Sequence, residues 1–159
     1  MRPSCANWVS QLKATNNDRI SDFDELLRSM KPRLNDGVYA FVSIPPDGET
    51  GRLDPIATFR EEEGLSVIVE ESKVEGTGLE ILFRAAWITL MVNSDLHAVG
   101  LTAAVAGALA ERGISCNVIA AANHDHLFLP VEQADAAMAA LKDLQFRAAL
   151  IQRNLPVWR

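Results

Sequence analysis

Three groups of polar residues in this chain have types and spacings that could do chemistry. The first is the turn Asn93-Ser94-Asp95-Leu96-His97-Ala98-Val99-Gly100, with Leu101 and Thr102 directly after it. It stands between the end of a β-branched apolar run and the start of an alanine-rich helical pattern. Free backbone N–H groups at a helix N-terminus would then lie beside a strand end, an arrangement suited to an anion. The plain alternative is a tight packing turn in which Ser94 or Asp95 caps the helix.

The second group is His124-Asp125-His126. Histidines at i and i+2 of a strand share one side, so both could reach a single Zn²⁺ while Asp125 orients or ligates. Zinc needs further ligands, and the one remaining histidine is His97, so polar residues closing a hairpin are the expected role and no metal is assigned. The third is Arg60 in Thr58-Phe59-Arg60, just before Glu61-Glu62-Glu63. An arginine projecting from a strand can clamp a carboxylate, but an ion pair with a neighbouring glutamate or a contact between the two halves is the plainer reading. There is no Gly-x-Ser-x-Gly, no phosphate-cradling glycine loop and no Cys-x-x-Cys, so no catalytic residue and no cofactor are assigned.

The elements that must position these groups follow from pattern. Ile88 to Val92 reads as a strand ending near Asn93. Leu101, Ala104, Val105, Ala108 and Leu109 recur at helical spacing up to Arg112, and Gly113 stops the helix as a left-handed cap. Ile114 to Ala122 reads as the next strand, Asn123-His124-Asp125 as a turn, and His126 to Leu129 as the returning strand ended by Pro130. Ala134, Met138, Leu141 and Leu144 mark a second amphipathic helix, with Ala148 to Ile151 continuing it or forming a closing strand.

Earlier in the chain, Phe23, Leu26, Leu27, Met30 and Leu34 keep helical spacing, Ser21 with Asp24 resembles a capping box, and Pro32 falls near the last turn. Val38 to Ile44 reads as a strand ended by Pro45-Pro46. Ile56–Arg60 and Leu65–Val69 flank a turn in which Gly64 supplies a positive φ. Lys73 to Gly78 has room for one helical turn, and Leu79 to Arg84 returns to the sheet.

Composition narrows the classes of function. The chain has 159 residues, 48% hydrophobic and 23% charged, which suits one globular body or two small modules. Net charge is −6, and the acidity belongs to the first 86 residues, with ten basic and fifteen acidic side chains against five and six in the rest. No basic stripe invites a nucleic acid. Cys5 and Cys116 make no disulfide framework, and no apolar run is long enough to span a bilayer. A cytoplasmic protein without a membrane or nucleic-acid partner is expected.

The strand ITLMV, the turn glycine Gly100, the alanine-rich helix ending in LAERGIS and the strand that follows resemble an ACT domain, a small βαββαβ module. Together with GVYAFVSIPP and PIATFREEEGLSVIVEE they resemble a family of small, mostly bacterial stand-alone proteins with two such units in tandem. The resemblance implies an α+β fold of two ferredoxin-like (βαββαβ, ACT-like) units with antiparallel sheets. Residues 21–86 would form a degenerate first unit and 87–152 the second, between an extension at 1–20 and a tail at 153–159.

It further implies a regulatory protein that binds an amino acid between units or between the protomers of a dimer. The expected ligand residues are Asn93, Ser94, Asp95, His97, Val99, Gly100, Leu101, Thr102, Asn117 and Val118. N–H groups near Gly100 and Leu101 would meet the ligand carboxylate, and Asp95 or Asn117 its ammonium group. Two rivals remain at this point: a metal-assisted enzyme using the His-Asp-His hairpin, and an assembly module without ligand.

Overall fold

The computed structural model describes residues 19–48 and 50–153. The extension before residue 19, with Cys5, Trp8 and Val9, and the tail after 153 lie outside the described residues.

The chain enters through a short helix, α1 (Phe23–Ser29), whose N-cap is Asp22: its carboxylate accepts from Glu25 N at 2.8 Å. The cap thus falls on Asp22, not on the Ser21 and Asp24 pair, and the helix stops at Ser29. Pro32 accounts for the early stop, because its ring pushes the preceding residue into extended backbone. Pro32–Leu34 becomes strand β1.

After it come β2 (Tyr39–Ile44), β3 (Ala57–Glu61), β4 (Gly64–Glu70), a 3-10 turn at Glu71–Lys73 and β5 (Phe83–Leu90). The β3–β4 hairpin turns through Gly64 at φ 145°, as its position predicts; a Cβ there would run into the carbonyl oxygen of Ile44. Helix α2 (Leu101–Ala110), β6 (Asn117–Ala120), β7 (Asp125–Pro130) and helix α3 (Ala134–Arg153) complete the order. Ala148 and Leu150 continue α3 as helix.

One antiparallel sheet runs β3-β4-β2-β5-β7-β6, and β1 also pairs with β5. β5 is the shared strand. Its first residues, Phe83 to Ala85, pair with β2, and its last, Ile88 to Leu90, pair on the same edge with β1, while β7 covers its other edge from Ala85 to Leu90. The order β5-β2-β4-β3 is that of a four-stranded ferredoxin-like sheet whose fourth strand is β5. The order β1-β5-β7-β6 is the same sheet again, with β5 as first strand and β1, taken from earlier in the chain, in the fourth position. Residues 83–90 thus serve both units, and Trp87 lies inside the shared strand.

Between β1 and β2 the chain leaves β5 and returns. Asn35 holds the break, its backbone N–H donating to Trp87 O at 2.9 Å and its side-chain amide donating to Trp87 O at 3.1 Å and Thr89 Oγ1 at 2.9 Å.

The units differ in what covers the sheet. Over the second, Leu101, Val105 and Leu109 form one buried row of α2, and Ala137, Ala140 and Leu141 of α3 pack with them on Ala86, Ile88, Leu90, Leu127 and Leu129. Alanine at these positions lets the helices approach closely. Over the first, both helices are replaced: Leu53 and Val74, in the segments after β2 and β4, cover Ala40, Val42, Val67 and Val69. Among the described residues the opposite face carries no helix. There Tyr39, Ile68, Ala85 and Phe128 form a second core with Phe41, Phe83 and Trp87, and Ala57 and Ile119, from the two outermost strands, join the same cluster, so the sheet curls around this face.

Candidate functional site

Beyond β5 the chain turns at the end of the sheet. Ile20 lies alongside this turn in a parallel bridge to Ser94, its N–H donating to Asn93 O at 2.9 Å and its carbonyl accepting from Asp95 N at 3.0 Å. Asp95 Oδ1 accepts from His97 N at 2.9 Å, closing a local turn typical of aspartate. Neither Ser94 nor Asp95 caps α2. Gly100 takes the N-cap position at φ 107°, without a side-chain cap, and leaves the first N–H groups of α2 to other partners. Glycine is required twice over, because a Cβ would also stand 2.9 Å from Cδ2 of Phe23.

Leu101 is buried and Thr102 and His97 are exposed. Val99 is 83% and Leu96 55% exposed, an uncovered apolar edge on the turn.

The side chain that sequence reasoning placed elsewhere is Asp125. It opens β7 opposite Leu90, is 5% exposed, and accepts from Ser94 Oγ at 3.3 Å. Burial pushes its carboxyl above the ordinary aspartate value, opposed by the Ser94 bond and by the two adjacent histidines. Through Ser94 the turn therefore adjoins an acid held in the core. Nothing in the local pattern marks it, since Asp125 reads equally as a hairpin residue.

The histidines on either side do not converge. His124 Nδ1 donates to Val92 O at 3.1 Å, and His126 Nδ1 accepts from Trp87 Nε1 at 3.0 Å, with Thr89 Oγ1 at 3.3 Å. Among the described residues no group of three or more histidine, cysteine or acidic side chains is placed to hold a metal ion. Asn117 and Val118 lie on the edge strand β6, level with Phe128 and Leu127, whereas Ala120 is level with Asp125 and the turn. Within one chain, the register therefore keeps Asn117 away from the turn. Arg60 is exposed on β3 and borders a shallow cavity of about 240 Å³ with Pro45, Gly48 and Glu61; it makes no ion pair among the described residues. A groove of about 280 Å³ between α2 and α3 is lined by alanines and by Arg112, Asp143 and Arg147, whose charges already pair with one another.

A helix-covered antiparallel sheet with this strand order, used twice around one strand, defines a protein of two paired ferredoxin-like units. The chain belongs to the ACT-domain family: one ACT-domain model matches residues 19–86 and a second matches 83–143. The two matches overlap within β5, the strand that both units share.

Among solved structures, a Vibrio cholerae protein of unknown function, described as a possible transport protein, is 46% identical over 77% of this chain and 94% of its own, with a TM-score of 0.69. An Agrobacterium tumefaciens protein shares the fold at 15% identity, 73% and 89% coverage and a TM-score of 0.60. So does the regulatory subunit of Thermus thermophilus aspartate kinase, at 14% identity, 73% and 98% coverage and a TM-score of 0.52. No curated protein matches the chain. Among the described residues, no helix is long and apolar enough to cross a membrane.

Proposed function

We propose that the protein is a regulatory amino-acid sensor rather than an enzyme, working in the cytoplasm as a homodimer. The observation that carries this reading is that one turn meets a buried acid at Ser94 and ends in an uncapped helix N-terminus at Gly100. The N–H groups behind Gly100 suit a carboxylate, and Asp125, backed by Ser94, suits an ammonium group, the two ends of an α-amino acid. Asp95 is a weaker ammonium partner than its position suggests, because His97 N already uses one of its oxygens. Regulation is the typical use of ACT domains, and a likeness in fold to an aspartate kinase regulatory subunit agrees with it.

Dimerisation supplies the second wall of the site. The exposed Val99 and Leu96 favour a covered turn, and in a dimer the edge strand β6 of the partner would bring its own Asn117 and Val118 to it. Ligand would favour one arrangement of the two copies over another, and that arrangement is the output.

The test is a thermal-shift panel of the twenty amino acids, each with and without chelator. At 100 times its dissociation constant a ligand stabilises by about 2.7 kcal/mol, which moves the midpoint of a chain this size by roughly 5–10 °C. One or two amino acids should do so, chelator making no difference. A panel in which none does overturns the sensor reading, and a midpoint that responds to chelator alone points to the metal-assisted enzyme instead.

A further inference from the structure

The curled face of the sheet, opposite the helices and the turn, holds a cavity of about 170 Å³. Its walls include Trp87 and Phe128, stacked side by side on β5 and β7 with ring centroids 6.0 Å apart and planes inclined by 16°. Ile56 and Ala57, at the start of the outer strand β3, and Ile119, on the outer strand β6, close it from opposite ends of the strand order.

Among the described residues that line it, His126 is the titratable one. The indole N–H of Trp87 can only donate, so His126 Nδ1 must be the acceptor, and the neutral ring carries its proton on Nε2. Burial, with a smaller contribution from His124, holds the imidazole below its ordinary pKa and keeps it neutral at physiological pH. Nε2 has no partner among the described residues. Thr89 Oγ1 stands 3.3 Å from the same Nδ1, and its hydroxyl accepts from the Asn35 amide.

We propose that this cavity is a second binding site, which takes a small neutral ring compound with one acceptor oxygen. The ring lies on Trp87 and Phe128 and the oxygen accepts from Nε2 of His126. Size supports the class, since an apolar cavity of roughly 150 Å³ holds a benzene ring. So does the wall chemistry, in which a single donor stands among apolar side chains and sets the orientation of the guest. The site lies on the opposite sheet face from the amino-acid turn and stands independently of it.

Acetophenone is the probe, a ring with one carbonyl and no charge. In ¹H–¹⁵N spectra of the full chain, the Trp87 indole resonance, assigned by its loss in Trp87→Phe, should move saturably as acetophenone is added up to its solubility limit. Filling the cavity with Ala57→Phe, or with Ile119→Trp should the first variant fail to fold, should abolish the shift. The ¹³C carbonyl resonance of the bound probe should move as a hydrogen-bonded carbonyl does. His126→Phe should remove that carbonyl shift and weaken binding by about threefold to tenfold, the range of one hydrogen bond. A Trp87 resonance that fails to saturate, or that still moves in the filled variants, overturns the site. A carbonyl resonance that is the same in His126→Phe overturns the role of His126.

Discussion

Ser94 and Asp125, 31 residues apart in sequence, meet at the end of the sheet, where the serine hydroxyl donates to the carboxylate at 3.3 Å and both side chains are buried. The contact joins the turn after β5 to the start of β7. It also places an acid where water cannot fully solvate it.

The pH dependence of Asp125 follows from its raised pKa. The folded state binds this proton more tightly than the unfolded chain, so the stability it contributes is present at acid pH and is lost as pH rises from about 4, the ordinary aspartate value, through the folded pKa. Asp125→Asn keeps the acceptor for Ser94 without the charge. Its melting midpoint should exceed that of the wild type at pH 7, with the gap closing below pH of about 4. A lower midpoint at pH 7 would mean that the carboxylate has a partner that the amide cannot replace. The same variant should lose its response to amino acids.

Gly100→Ala should destabilise by about 2 kcal/mol in urea unfolding, because the left-handed backbone and the Phe23 ring both oppose a Cβ. In a Phe23→Ala background the cost should fall to the backbone part alone. Strict additivity of the two substitutions would show that the ring does not rest on Gly100.

Asn35→Ala removes two side-chain hydrogen bonds to β5 and should cost about 1–2 kcal/mol. Asn35→Asp should cost more, since a carboxylate would face the Trp87 carbonyl it cannot donate to. Equal costs from chemical denaturation would remove the amide from the junction.

Cys116 has its thiol pushed up to about 11 by burial. In a Cys5→Ser background, alkylation by iodoacetamide at pH 8 should run about 100-fold slower than with a free cysteine, since the thiolate is the nucleophile. A rate like that of free cysteine would place the thiol in water.

Val99→Asp puts a charge on the most exposed apolar side chain of the turn. If two copies meet there, light scattering should find the wild type dimeric and the variant monomeric with an unchanged circular dichroism spectrum. A variant that stays dimeric moves the interface elsewhere.

The local elements were legible because their signals are local. Gly64 between two alternating runs marks its hairpin, Leu101, Val105 and Leu109 repeat at one helical row, and Pro45-Pro46 cannot continue a central strand. The turn at 93–102 was legible as a strand-to-helix junction for the same reason. Its cap was not: Ser94 and Asp95 are typical capping types, but Asp95 folds back on His97 and Ser94 turns inward to Asp125, which leaves the cap to Gly100. The helical period places Pro32 near the last turn of a helix, whereas it begins a strand, because its effect on Lys31 stops the helix sooner than a hydrophobic period shows.

By itself the sequence determined the β3–β4 and β6–β7 hairpins and the helices α2 and α3, since periodicity, turn glycines and prolines act over a few residues, and its likeness to the ACT family implied the ferredoxin-like class of fold. Tertiary structure alone decided that β5 serves both units, that β1 supplies the fourth strand of the second, and that Asp125 is buried against Ser94 while His126 faces the opposite side with Trp87. These outcomes depend on which strands pair and in what register. An alternating strand specifies two faces but not its neighbour, so partners tens of residues apart are chosen only when the sheet closes on its cores.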